Sequence, residues 1–303
     1  MEEIGLQTTW GWEIAVYLFL GGLAAGTICA VAIINLATGE RFKNTVRFGA
    51  WAGVIALAVG TLALLIEVGK PFRAIVLFRS FVNFDSWMAL GAWFLIIGLL
   101  LYGLYALSWT GWIAERISPL LRWRTILSIL VIPISLGIAL YTGVLLGVLW
   151  SHPLWNTWLL PSLFTASALD TGVVLATAYA TLRESSEGAV HLKKALEVST
   201  VALIALEGTI LGSYLGTMLS SDSEAAALSA QVLTTGSLSQ YFWVIVVGLG
   251  LAVPFLVSLV LIIRSDIARR TREIFPMLGI ISCLAGGFTL RLVVLLAGLP
   301  ILT

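Results

Sequence analysis

Eight apolar stretches, each long enough to cross a lipid bilayer, constrain this chain more than any other feature. They cover residues 12–36, 49–69, 86–109, 124–149, 159–182, 195–219, 240–264 and 276–299. A helix rises about 1.5 Å per residue, so about 20 apolar residues span the ~30 Å hydrocarbon layer. In lipid every backbone N–H and C=O must be satisfied internally, and runs of this length do so as helices. Composition agrees: 59% of the 303 residues are hydrophobic and 11% are charged, against about 25% charged in soluble domains. The sequence predicts an all-α integral membrane protein, a tight bundle of eight transmembrane helices forming a single membrane domain over residues 1–303. The net charge of +1 gives no reason to expect nucleic acid; the bilayer itself is the surrounding partner.

Lys and Arg in the connections set the orientation. Arg41, Lys43 and Arg47 follow the first run; Arg116, Arg122 and Arg124 follow the third. Arg183, Lys193 and Lys194 follow the fifth; Arg264, Arg269, Arg270 and Arg272 follow the seventh. The opposite side has only Lys70, Arg73 and Arg79, in one loop. This alternation predicts both termini on the outer side. Glu2 and Glu3 stand where a signal peptide would carry its basic n-region, so no cleavable signal is expected. Residues 70–85 are too short to span and too apolar for a free loop; they read as an interfacial segment or a docking surface for a partner. In the 220–239 connection, Asp222 or Ser223 is suited to cap a short surface helix. Gly22 with Gly26, Gly143 with Gly147 and Gly212 with Gly216 have the small-xxx-small spacing of close helix contacts. Pro133 and Pro254 are expected to kink their helices.

The chemistry open to such a bundle is narrow. Cys29 and Cys283 are too few for an iron–sulfur cluster and read as small apolar packing residues. His152 and His191 lie at opposite ends of the bundle, which excludes a bis-His haem within the chain and disfavours His–Met ligation. No Gly-rich phosphate loop or zinc spacing occurs. A redox role therefore requires a mobile cofactor. Ionisable residues inside apolar runs are costly and are functional candidates by default: Glu13, Glu67, Asp170, Glu207 and Arg291. Glu13 and Glu67 fall near the outer surface. Tyr17 lies one turn deeper than Glu13 on the same face, and Tyr141 two to three turns below the outer end of the fourth run. Carboxylates and phenols there suit hydrogen bonding to a quinone carbonyl and its protonation. The plainer readings are solvated helix ends for Glu13 and Glu67, and an interfacial aromatic belt for Tyr17. Asp170, Glu207 and Arg291 fall nearer the midplane; they suit either a proton relay or a buried ion pair that fixes helix register. Such charges also suit a secondary transporter or ion-translocating protein, although no strong internal repeat accompanies them. A passive anchor without a cofactor site is the third reading.

Several segments, in order, resemble the NrfD-like family, which includes the membrane subunit of polysulfide reductase. They are Trp10–Gly26 (WGWEIAVYLFLGGLAAG), Gly69–Arg73 (GKPFR) and Ser86–Trp93 (SWMALGAW), followed by Tyr141–Leu146 (YTGVLL) and Pro153–Trp155 (PLW). Ser167–Gly172 (SALDTG) and Gly286–Gly298 (GGFTLRLVVLLAG) complete the set. The likeness runs from Trp10 to Gly298 and is weakest between about 185 and 275. The resemblance implies an eight-helix subunit without prosthetic groups in a bacterial or archaeal cell (inner) membrane. It implies an exchangeable menaquinone or ubiquinone bound near the outer face. It further implies electron exchange with a ferredoxin-like iron–sulfur subunit, docked near residues 70–85, which serves a catalytic subunit that is often a molybdopterin enzyme. Family members use polar residues of helix one and a tyrosine of helix four for the quinone, here Tyr17 and Tyr141. Where Tyr17 aligns, the family pattern has a histidine; Glu13 is the titratable group closest in sequence.

Overall fold

The computed structural model describes Gln7 and residues 10–67, 86–111, 116, 123–264 and 269–301. These form α1 (Trp12–Thr38), α2 (Lys43–Glu67), α3 (Trp87–Ser108) and α4 (Arg124–Gly147), then α5 (Leu159–Arg183) and α6 (Glu187–Leu219). A short α7 (Glu224–Thr234) precedes α8 (Tyr241–Ile263) and α9 (Arg269–Leu296). All but α7 are long and apolar enough to cross a membrane, eight in all, so the chain is a multi-pass membrane protein. No strand occurs among the described residues. The 70–85 segment and the side chain of Glu67 lie outside the described residues.

Helices α2, α6 and α9 begin earlier than their apolar runs. The added residues include Lys43 and Arg47 of α2, Lys193 and Lys194 of α6, and Arg269, Arg270 and Arg272 of α9. Lys43, Arg47 and Lys194 are exposed, so the backbone ladder of α2 and α6 continues past the hydrocarbon layer where such side chains suit headgroups or water. Ser223 stands at the N-cap position of α7 but makes no side-chain capping bond; its N–H donates to Ser221 Oγ at 3.2 Å. The short helix expected here forms, without a side-chain cap bond from Ser223. In α8, Tyr241–Ala252 is π-helical, a geometry that the apolar run does not announce. The Val253 N–H bonds back to Gly248 O. Ordinary α geometry follows over Val253–Ile263, with Pro254, which has no N–H to donate, at the change.

The centre of the bundle is α1, which packs against α2, α4 and α5, with 78% of its apolar window buried. A methyl at Gly26 would run into Ala168 O, and one at Gly172 would meet the backbone of Gly26. These two glycines let α1 and α5 approach to backbone contact, the use of small residues expected in lipid. Gly143 likewise faces the Pro161 backbone. An added Cβ at Gly212 or Gly216, expected to do the same, would meet no atom of the described residues within 4 Å.

Hydrogen bonds between connections sort the helix ends into two groups. At one end, buried Arg124 donates from Nε and Nη2 to Ser108 O, at 2.8 and 2.7 Å, and pairs with Glu40 at 3.0 Å. Its guanidinium also covers the Trp109 ring, 4.4 Å from the centroid. Thr45 of α2 donates its hydroxyl to Glu184 beyond α5 at 2.9 Å, and Lys193 Nζ donates to Glu184 O at 2.7 Å. Burial raises the Glu40 carboxyl, but hydrogen bonds from Arg124 and Lys43 outweigh it and hold the group below the ordinary range. We term this the basic end. At the other end the Gln7 N–H reaches Leu296 O at 3.3 Å and the Ile301 N–H reaches Ser151 O at 2.8 Å. Trp155 Nε1 donates to Val294 O at 2.9 Å, and Tyr214 donates its hydroxyl to Leu154 O at 2.8 Å. Both ends of the described chain thus meet at this terminal end, away from Arg41, Lys43, Arg47, Arg183, Lys193 and Lys194.

Candidate functional site

Polar groups extend inward from the terminal end in steps of depth. Glu13, in the first turn of α1, is half-buried at the rim. Tyr17 lies about 8 Å from the start of α1, and Tyr141 about 9 Å below the end of α4. Because α4 stops at Gly147, Tyr141 sits slightly nearer its helix end than the longer apolar run implies. Both phenols are buried. Tyr141 lies over Gly91 of α3, where any larger side chain would collide with its ring. An added Cβ at Gly21 would lie 3.6 Å from Thr142 and 3.9 Å from the Tyr17 ring, so Tyr17 faces α4 one residue from Tyr141 in sequence. The Tyr17 hydroxyl is fully buried and has no hydrogen-bond partner among the described residues, a state that costs about 1–3 kcal/mol.

One turn further out along the same α3–α4 seam, a cavity of about 390 Å³ opens between Trp87, Val144, Trp150, Trp158 and Pro161. That volume lies within the usual range of ligand clefts, about 300–1,000 Å³. A quinone is an apolar, aromatic molecule with two carbonyl acceptors. The tryptophan-lined cleft fits such a molecule; the unpartnered Tyr17 hydroxyl is buried deeper and does not itself line the cleft.

Deeper in the bundle the structure brings Asp170, Glu207 and Arg291 together from α5, α6 and α9. Side chains on a helix lean toward its N-terminus, and Arg291 accordingly reaches inward. Its Nη1 donates to Ser167 Oγ at 2.9 Å and Gly287 O at 2.8 Å, and its Nη2 to Phe164 O at 3.3 Å. Phe164 and Phe19 flank the guanidinium, with centroids at 5.2 and 5.9 Å. Gly22 of α1, little more than a turn below Tyr17, leaves room for it: an added Cβ would lie 3.2 Å from Nη2. Ser167 and Glu207 line the same small cavity. Its volume is about 10 Å³, room for about one water, and Asp170, Thr171, Cys283 and the π-helical turn at Gly250 line it too. Arg291 forms no ion pair within 4.0 Å with either carboxylate, so the register-fixing contact pair that the sequence allows is not made. Its Nη1 and Nη2 donate to neutral oxygens instead, while Nε is buried without a partner among the described residues.

Two members of this cluster escape a reading of the sequence. Cys283, expected to be apolar filler, donates from Sγ to Asp170 Oδ2 at 3.3 Å; a thiol is also a weak donor, and here a carboxylate lies opposite it. Ser167 accepts from Arg291 and lines the cavity that Glu207 also lines. The spacing of Cys283, Gly287 and Arg291 by four residues puts them on one helix face, the only trace of the cluster in the sequence of α9. His152 lies at the terminal end, stacked on Trp155 at 4.3 Å, and burial lowers its pKa. His191 lies in α6 at the basic end.

The family profile described as "Polysulphide reductase, NrfD" matches residues 3–303. A polysulfide reductase polypeptide of Wolinella succinogenes is 31% identical over 305 residues, covering 95% of this chain and 94% of the relative. Protein NrfD of Escherichia coli is 28% identical over 279 residues, covering 82% and 84%. A selenate reductase subunit of Mesobacillus selenatarsenatis is 24% identical over 208 residues, covering 58% of this chain and 48% of its own length.

Proposed function

The chain belongs to the NrfD polysulphide reductase family, and from that premise we propose that it is the quinone-binding membrane subunit of a respiratory oxidoreductase. In this reading it exchanges electrons between the membrane quinone pool and an extrinsic iron–sulfur subunit that serves a catalytic subunit, as the reductase subunits among its relatives suggest. The observation that carries the reading is the buried hydroxyl of Tyr17, unpartnered among the described residues, on the side of α1 that faces α4 at Thr142.

A bound menaquinone or ubiquinone supplies reversible two-electron, two-proton chemistry. The chain's own residues hold and serve it. Tyr17 donates its hydroxyl to a carbonyl acceptor, which removes the cost of leaving that group unpaired. Tyr141, fixed over Gly91, bounds the same space and offers a second phenol. Glu13 at the rim, with Glu67 at the end of α2, exchanges protons with the aqueous phase. Asp170, Glu207 and Arg291 form a proton relay deeper in the bundle, with Arg291 standing in depth between the tyrosines and the carboxylates. Its bonds to neutral oxygens leave both carboxylates free to change protonation state without breaking a contact ion pair.

A photoactivatable quinone analogue, applied to the intact complex, tests the reading. Labelled peptides should come from α1 and α4, around Tyr17 and Tyr141. Labelling confined to α6 and α8 would overturn it.

A further inference from the structure

A second binding surface lies on the flank of the bundle, away from the tyrosines. Arg47, Trp51, Ile55 and Val59 of α2 recur every four residues and so form one stripe. Beside them the small side chains of Ala52 and Ala56 leave a groove of about 600 Å³, closed below by Leu20 of α1 and on its far side by Tyr179 of α5. Phe48 and Tyr179 stack across it at 4.1 Å, with an interplanar angle of 7°. Trp51 is fixed at its edge by an Nε1 bond to Thr110 Oγ1 at 3.1 Å.

We propose that this groove is the site of an ordered anionic phospholipid, in the leaflet facing the basic end. Three observations name the occupant. The first is length. From Arg47 to Val59 the groove runs about 18 Å, close to one headgroup edge plus the ~15 Å half-thickness of the hydrocarbon layer. It stops at mid-bundle, although α2 stays apolar and exposed beyond it at Leu62 and Ile66. A transmembrane helix of a second copy would need the whole stripe; a lipid needs one leaflet. The second is charge. Arg47 is exposed at the headgroup end and pairs with no carboxylate among the described residues, whereas Lys43, one turn before it, is taken by Glu40 at 3.1 Å. A free guanidinium at that depth offers a phosphodiester bidentate hydrogen bonds. The third is the aromatic set: Phe48, Trp51 and Tyr179 stand at the headgroup boundary, with only aliphatic side chains below. The site is independent of the quinone reading and stands or falls separately.

The test uses the purified protein in nanodiscs of phosphatidylcholine, with and without phosphatidylglycerol of the same acyl chains. Native mass spectrometry counts the lipid retained after release. Wild type should retain phosphatidylglycerol in preference to phosphatidylcholine. Arg47→Gln should retain it about fivefold less, the effect of one basic residue at a membrane surface, and Arg47→Lys should restore most of it. Val59→Trp, which fills the deep end from an exposed position, should lower retention of both lipids. Equal retention of the two lipids by wild type would overturn the proposal. So would undiminished retention by Arg47→Gln, or a doubled particle mass cross-linked through this face, which would mark a second copy as the occupant.

Discussion

Tyr17→Phe separates the cost of the site from its use. The substitution removes one oxygen and leaves the ring, which is wholly buried. In the quinone-free protein that oxygen has no partner, so its loss should stabilise the bundle by about 1–3 kcal/mol, the penalty of an unsatisfied buried hydroxyl. With quinone present the sign reverses. Binding to the variant loses both a hydroxyl-to-carbonyl bond worth about 0.5–1.5 kcal/mol net and the relief of the unpaired hydroxyl's penalty, about 1.5–4.5 kcal/mol together, so affinity should fall about 10- to 2,000-fold. Denaturant unfolding followed by tryptophan fluorescence reads the first effect; quinone titration of the same preparations reads the second. A less stable quinone-free variant, or one with wild-type quinone affinity, would refute the reasoning, since the hydroxyl would then serve the fold and not a ligand.

Other substitutions probe the remaining contacts. Gly91→Ala places a methyl where the Tyr141 phenol lies; it should cost about 1–3 kcal/mol of stability and lower quinone-linked turnover, measured on the intact complex, at least as far as Tyr141→Phe does. Gly26→Val should prevent assembly of the bundle, because its side chain meets the Ala168 carbonyl, whereas Gly212→Val, in open space, should leave expression and thermal stability unchanged. Glu207→Gln should slow proton uptake coupled to turnover, read with a pH-sensitive dye in vesicles, while leaving quinone affinity within about twofold, because Glu207 lies a full helical turn or more below the tyrosines. The Glu40 carboxyl is held below its ordinary range in the fold. The stability it lends Arg124 is therefore full above that ordinary range and fades as pH falls through the folded value. Glu40→Gln should flatten the acid limb of a stability–pH profile, by a modest amount because Glu40 is 45% exposed.

The eight spans are legible because hydrocarbon thickness leaves little choice in their length, and the gathering of Asp170, Glu207 and Arg291 because charges in apolar runs are too costly to be incidental. Cys283 and Ser167 are not legible as partners, since either side chain packs equally well as a small neutral group and spacing along one helix does not name the helix opposite. The π-helical half of α8 leaves no mark either: Tyr241–Ala252 is apolar on every face, so no hydrophobic periodicity distinguishes one helical pitch from another. Gly212 and Gly216 mislead for a related reason. Small-xxx-small spacing permits a close approach, but only a neighbouring helix placed against it makes one.

Organic extraction of the purified native complex, with quinone analysis and mass spectrometry of the co-purifying polypeptides, tests the central claim most directly. Near-stoichiometric menaquinone or ubiquinone beside an iron–sulfur subunit is the expected result. A quinone-free protein that purifies alone and takes up an ion or solute in vesicles would contradict it and place the buried charges of α5, α6 and α9 in a transporter.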